Sequence, residues 1–243
     1  MQYWGLTDMG CVRQQNQDAY EIHQLDKNTL LAVVCDGMGG AKSGNIASLL
    51  AVDVFTQEVI RSWSPSMDQD RIDQMLTSAV KLANFTVFDQ AQQFEEFDGM
   101  GTTLVAVLIH NHHVTTNNVG DSRAYVMDAD GIAQITKDHS LVQMMVDRGD
   151  LTPEQAKSYP GKNFITRAIG TEPMVSCDIY HREVSRGDYL LLCSDGLSNM
   201  MDDQEILFEA VHGVGKHRCC KRLLDIAKNR GAPDNVTAVL ILI

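Results

Sequence analysis

Apolar positions along this chain follow two periods, and the switches between them mark out its elements. Short apolar or alternating runs near 2–8, 19–25 and 29–35 predict strands. Residues 43–62 change to helical spacing, with Ile46, Leu49, Leu50, Val54 and Ile60 at about 3.6-residue intervals. Residues 69–95 predict a second helix, with Ile72, Met75, Leu76, Ala79, Leu82, Ala83 and Val87 on one stripe. Strands follow at 103–109, 114–119 and 124–128, broken by polar turns at 110–112 and 120–122. Ala129-Asp130-Gly131 signals a hairpin into a strand at 132–136. Residues 139–172 are mixed and polar, with one helix start at Thr152-Pro153-Glu154. Strands near 177–184 and 188–193, helices near 203–212 and 216–229, and a strand at 236–242 complete the pattern.

Strands arrive in runs joined by tight turns, not singly between helices. That predicts an α+β layering of antiparallel sheets with helices outside, not a doubly wound parallel sheet. The two long helices should cover one face and the C-terminal pair another.

Composition narrows the classes. With 243 residues, 44% of them hydrophobic, the chain can bury one large core or two small ones. No apolar run reaches the roughly 18 residues of a membrane span, and no signal peptide is visible, so the expected location is the cytoplasm. The six cysteines form no CxxC and no framework, and several sit in apolar strands as small hydrophobes. The net charge of −12 argues against a nucleic-acid partner.

The chemistry is concentrated in acids that follow apolar runs. Val34-Cys35 leads Asp36 out of a strand into Gly37-Met38-Gly39-Gly40. Leu191-Leu192-Cys193-Ser194 does the same for Asp195-Gly196, and Asp234 follows in Gly231-Ala232-Pro233. A lone Asp-Gly is ordinarily a turn. A turn needs no such buried approach, so the repeated shape points to one oxygen-lined site. Asp36, Asp195, Asp234 and the Gly37 carbonyl are hard donors without His or Cys, which suits Mg²⁺ or Mn²⁺ and not Zn²⁺. Arg13 offers a guanidinium to phosphate and Asp18 an acid to metal-bound water, although that segment alone reads more readily as a polar turn with an exposed Arg. Gly120-Asp121-Ser122-Arg123 joins two strands and reads as a hairpin turn.

Other patterns are set aside. His110, His112 and His113 fall in a turn. Lys42-Ser43 lacks the glycines of a P-loop. No cysteine has an arginine six positions later, and no Gly-x-Ser-x-Gly elbow exists.

The ordered set Arg13…Asp18, Asp36-Gly37-Met38-Gly39-Gly40, Gly99-Met100-Gly101-Thr102-Thr103, Gly120-Asp121-Ser122-Arg123, Asp138-His139-Ser140, Ser194-Asp195-Gly196 and Asp234-Asn235 resembles the bacterial branch of the PP2C-type, metal-dependent Ser/Thr protein phosphatases. The resemblance runs from Thr7 to Val239. It implies one domain over residues 1–243, a four-layer αββα sandwich, and a flap at about 139–172. It implies two core Mn²⁺ or Mg²⁺ ions. Asp36 would bridge them, the Gly37 carbonyl would serve one, Asp195 and Asp234 the other, and Asp18 would act through water. Asp121 with Asp195 would hold a third, weaker ion, and Arg13 would bind the phosphate. The implied partners are phosphorylated proteins, substrates of a cognate Ser/Thr kinase, with no nucleic acid, no membrane and a monomeric chain.

The chain departs from the family at Ala41 and Tyr159, where His is frequent, and at Gln17, where other branches carry an acid. Without a His at 41, a metal-bound water or His139 is the expected proton donor to the leaving group. The expected reaction is hydrolysis of phosphoserine and phosphothreonine on proteins by a metal-bridging hydroxide. The alternatives are a catalytically weak phosphoprotein-binding module and a metal phosphoesterase acting on small phosphates.

Overall fold

The computed structural model describes residues 1–39, 43–128 and 130–243. The readings at Gly40, Ala41, Lys42 and Ala129 lie outside these residues. In chain order the elements are β1 (Gln2–Asp8), β2 (Asp18–Asp26), β3 (Thr29–Met38), α1 (Gly44–Ser62), α2 (Gln69–Gln93), β4 (Gly101–Thr102), β5 (Leu104–His110), β6 (His113–Val119), β7 (Arg123–Asp128) and β8 (Gly131–Gln134). Then come α3 (Leu141–Asp147), α4 (Pro153–Lys157), β9 (Asp178–Glu183), β10 (Tyr189–Cys193), α5 (Asp195–Ser198), α6 (Asp203–His212), α7 (Cys219–Asn229) and β11 (Val236–Leu242).

Two antiparallel sheets stack face to face. One has the order β1-β11-β10-β7-β8, the other β2-β3-β5-β6-β9, with β4 added beside the end of β3. Helices α1 and α2 cover the second sheet through Ala47, Ala51, Phe55, Leu76, Ala79 and Ala83. Helix α7 covers the first through Cys220, Leu223, Leu224 and Ala227. The α+β, four-layer expectation therefore holds.

The layering explains why β3 and β10 read as unbroken apolar runs. Leu30, Ala32 and Val34 point between the sheets, while Leu31, Val33 and Cys35 point to the helices. Likewise Leu190 and Leu192 face inward and Leu191 and Cys193 outward. A strand buried on both faces has no polar phase.

The same parity builds the mouth of the sandwich. Inward rows continue past the apolar core by one more step of two. On β3 the next inward position after Val34 is Asp36. On β2 it is Asp18, before Tyr20 and Ile22. Off the ends of β5, β7 and β10 it is Thr103, Ser122 and Ser194, and on β11 it is Thr237. Each row that is apolar inside the sandwich ends in an oxygen-bearing side chain at one edge.

Three expectations need correction. Strand β3 does not end at 35. It runs to Met38 because Gly37 and Met38 pair with Thr102 and Gly101, so Asp36 lies in the ladder opposite Asp18 and not in a turn. Residues 120–122 are not a hairpin, since β6 and β7 belong to different sheets and the segment is a corner between them. Asp195 opens a short helix, α5, with Ser194 at its N-cap. The turn at His110–His113 is as expected, with Asn111 and His112 at positive φ in a tight hairpin. Among the described residues no helix is long and apolar enough to cross a membrane.

Candidate metal centre

A cleft of about 600 Å³ opens at the mouth, lined by Arg13, Asp36, Gly37, Asp121, Asp195 and Asp234 among others. Asp18 lies just beneath, paired in register with Asp36. Elements far apart in sequence thus deliver every acid that the sequence singled out to one place. A cleft of similar size beside Lys27 and Arg186 has no carboxylate side chain in its lining and cannot do the same chemistry.

The acids are held by hydroxyls. Asp18 Oδ2 accepts from Ser194 Oγ at 2.7 Å and from Thr237 Oγ1 at 2.6 Å. Ser194 Oγ in turn accepts the Thr237 N–H at 3.0 Å. Since Thr237 donates to Asp18, the 2.7 Å contact between Thr7 and Thr237 hydroxyls has Thr7 as donor. Asp36 is fixed through its backbone. Its N–H donates to Thr103 Oγ1 at 2.9 Å, and its carbonyl accepts from the Thr103 N–H and from Thr102 Oγ1, each at 2.9 Å. Thr103 Oγ1 also meets Ser122 Oγ at 2.7 Å, which ties the Asp36 strand to the corner that carries Asp121.

Gly37 is glycine for a steric reason. A Cβ there would sit 2.0 Å from the Gly44 carbonyl oxygen, so helix α1 could not approach the strand end. Asn235 organises the loop before β2: its Oδ1 accepts the Gln17 N–H at 2.8 Å, and its Nδ2 donates to the carbonyls of Met9 and Gln15, each at 2.9 Å. That loop presents Arg13, whose Nη2 donates to Asp234 Oδ2 at 2.6 Å.

Crowding controls protonation. Burial, reinforced by Asp18, Asp195, Asp121 and Asp234, pushes the Asp36 carboxyl well above the usual range. Burial also raises Asp18, aided by Asp195 and Asp234 and opposed by its hydroxyl donors. Asp121 is raised by burial and then by Asp195. Asp195 is raised by burial and Asp234, while a hydrogen bond shared with Asp36 opposes the shift. Carboxyls crowded together away from water hold their protons more tightly than free ones.

The donors fit a hard divalent cation. Asp18 Oδ1 and Asp195 Oδ1 are buried and have no hydrogen-bond partner, which is costly unless something else satisfies them. Among the described residues, however, no three His, Cys, Asp or Glu side chains are gathered closely enough to hold an ion by themselves. Asp234 is engaged by Arg13, and Asp195 Oδ2 accepts from Asn199 Nδ2 at 3.0 Å. Backbone carbonyl and water would have to complete each shell, as they commonly do for Mg²⁺.

His139 does not fit the role of proton donor to a leaving group. It is buried, its Nδ1 accepts the Gly120 N–H at 3.0 Å, and its Nε2 faces Asp178 Oδ2 at 3.3 Å. Burial lowers its pKa below that of a free imidazole. Both ring nitrogens are committed inside the protein.

Sequence reasoning missed Ser194, Thr237, Ser122 and Asn235 as supports of the acids. Ser122, Ser194 and Asn235 adjoin proposed ligands, which is the only signal they gave.

Comparisons with known proteins find relatives over nearly the whole chain. The profile described as Protein phosphatase 2C matches residues 12–225. A serine/threonine phosphatase, stp, of Listeria monocytogenes is 33% identical over 239 residues, covering 97% of this chain and 93% of that protein. PhpP, a protein phosphatase of Streptococcus pneumoniae, is 34% identical over 237 residues, covering 97% and 95%. The crystal structure of the serine/threonine phosphatase Stp1 from Staphylococcus aureus superposes with a TM-score of 0.93 at 38% identity, covering 99% of this chain and 94% of that one.

Proposed function

This chain belongs to the protein phosphatase 2C family, and from that premise we propose that it hydrolyses phosphoserine and phosphothreonine on proteins. The observation that carries the reading is the convergence of Asp36, Asp121, Asp195 and Asp234 with Arg13 on one cleft. The family is metal-dependent in general, and the hard donors here suit Mn²⁺ or Mg²⁺. Asp36, the Gly37 carbonyl, Asp195 and Asp234 would hold two core ions, with Asp18 acting through water and Asp121 with Asp195 holding a third. Bound, the ions supply a water acidic enough to be hydroxide near neutral pH and positive charge against the phosphoryl oxygens.

The chain's own groups do the rest. Arg13 sits at the cleft rim with half its side chain exposed, so its guanidinium can grip a phosphate while Nη2 stays on Asp234. That contact orients the phosphate relative to the acids, which matters because phosphoryl transfer depends chiefly on positioning and charge. The paired hydroxyls of Ser194 and Thr237 keep Asp18 aimed with one oxygen free. Residues 1–243 act as one phosphatase domain in this reading, and 139–172 form a flap beside the cleft, which Asn163 and Ile165 help to line.

Turnover of a panel of phosphopeptides and small phosphates, with Mn²⁺ and then with excess EDTA, tests the reading. Expected are Mn²⁺-dependent release of phosphate from the peptides and loss of it in EDTA. Full activity in excess EDTA, or preference for small phosphates, would overturn it.

A further inference from the structure

Residue 120 links the candidate metal centre to the flap. Gly120 has a φ of +105°, and a Cβ there would sit 2.6 Å from the Thr103 side chain, so only glycine fits. Glycine sets no direction of its own for the chain that follows. The direction comes from hydrogen bonds on both of its peptides. Its N–H donates to His139 Nδ1 at 3.0 Å. Its carbonyl accepts from the His139 N–H at 2.9 Å and from Asn118 Nδ2 at 3.2 Å. Asn118 Nδ2 also donates to the Lys137 carbonyl at 3.0 Å, so the segment 137–139 is bound to the corner from both sides. The next residue is Asp121.

The same histidine belongs to the neck of the flap. Its carbonyl accepts the Thr166 N–H at 2.8 Å, and Leu141 N–H donates to the Phe164 carbonyl at 2.8 Å, closing residues 142–163 into a loop. On the far side of the ring Nε2 lies 3.0 Å from Arg167 Nη1 and 3.3 Å from Asp178 Oδ2, so it meets both members of the ion pair they form. Asp178 Oδ1 accepts from Arg167 Nη1 at 2.7 Å, where the chain leaves the flap. One imidazole therefore touches the corner before Asp121, and its far nitrogen meets the acid that anchors the flap exit.

We propose that His139 is a positioning residue that locks the Gly120–Asp121 corner to the neck of the flap, so that the aim of the Asp121 carboxylate depends on how the flap is seated. The proposal rests on Asp121 being a ligand, as read above. It gives the Asp138-His139-Ser140 motif a mechanical part in place of proton transfer.

Two substitutions separate the two ends of the ring. In His139→Asn the amide oxygen can stand where Nδ1 stands, and the contact to Asp178 is lost. His139→Gln reaches toward Asp178 and leaves no acceptor for Gly120. Three quantities are read on folded protein: amide exchange at Gly120 by NMR, the Mn²⁺ isotherm by calorimetry, and kcat and KM for p-nitrophenyl phosphate. In His139→Gln, Gly120 exchange should speed at least about tenfold, the weaker class of Mn²⁺ sites should lose affinity, and kcat should fall about 10–100-fold with KM little changed. His139→Asn should recover most of all three.

Equal behaviour of the two variants would overturn the proposal. So would faster Gly120 exchange with an unchanged isotherm and kcat, an outcome that leaves the phosphatase reading standing. Inactivity of the wild type on phosphopeptides would fault that reading instead. Should His139→Gln not fold, wild-type protein titrated with Mg²⁺ decides. The Gly120 amide and His139 Nδ1 resonances should shift together as the weaker site fills, and movement of Gly120 without His139 would refute the lock.

Discussion

Asp18 and Asp36 stand directly opposite each other on the β2–β3 ladder, two carboxylates in one cross-strand pair. Like charges in that relation destabilise a sheet. The chain tolerates the pair because both side chains lie at the mouth, where Ser194 and Thr237 hydroxyls donate to Asp18 and the raised carboxyls can hold protons in place of a second charge.

Stability of metal-stripped protein should fall as pH rises. Burial pushes Asp18 up to about 7 and Asp121 up to about 8, and burial together with the neighbouring acids also raises Asp36 well above its ordinary value. A raised folded pKa means the folded state binds more protons than the unfolded chain. Its contribution is therefore full near the ordinary carboxylate value of about 4 and is lost as pH climbs through about 8. The melting temperature without metal should drop by about 5 °C or more between pH 5 and pH 8. Saturating Mg²⁺ should flatten the slope. A metal-free profile that rises over that interval would mean the acids are not crowded in solution.

Arg13→Ala should raise KM for phosphopeptides about tenfold and change kcat by less than about threefold. A group that holds ground state and transition state alike contributes uniform binding. The same variant frees Asp234 Oδ2, so Mn²⁺ affinity should rise. A collapse of kcat at constant KM would make Arg13 a transition-state group.

Asp121→Ala should keep two metals and lose most turnover. In the proposed arrangement Asp121 serves only the weaker ion, which retains several waters. Calorimetry showing loss of all bound metal would place Asp121 in the core pair. Unchanged kcat at saturating Mn²⁺ would reduce it to a corner residue.

Ser194→Ala should cost about 1–3 kcal/mol, because it removes a hydroxyl donor from a buried carboxylate and leaves the Thr237 N–H without its acceptor. It should also weaken Mn²⁺ binding about tenfold, as loss of an outer hydrogen bond to a ligating acid does. Chemical denaturation and an Mn²⁺ isotherm measure the two effects. Normal values of both would show that Thr237 alone suffices to hold Asp18.

The two long helices and most strands were visible in the sequence because each has a sustained period. Asp36 and Asp195 were visible because an apolar run leads into each. Strand β4 and helix α5 were not, since two and four residues carry no period. Helix α3 has no buried residue to mark a face. The corner at 120–122 looks like a hairpin because nothing local says which sheet receives the next strand. Thr237 is hidden for a different reason: a β-branched residue inside a strand needs no explanation, and only the approach of Asp18 gives its hydroxyl a task. His139 could be imagined as an acid until its two nitrogens were seen to be occupied.

The inward rows have a consequence for how this chain can change over time. The side chains that fill the space between the sheets and those that ring the mouth obey one alternation, strand by strand. Adding or deleting a single residue within β2, β3, β10 or β11 would exchange inside for outside along that strand. Leu30, Ala32 and Val34 would swing toward the helices, and Asp36 would swing with them. Lengthening therefore has to be confined to the connections, while within the strands the packing and the chemistry can only be inherited together.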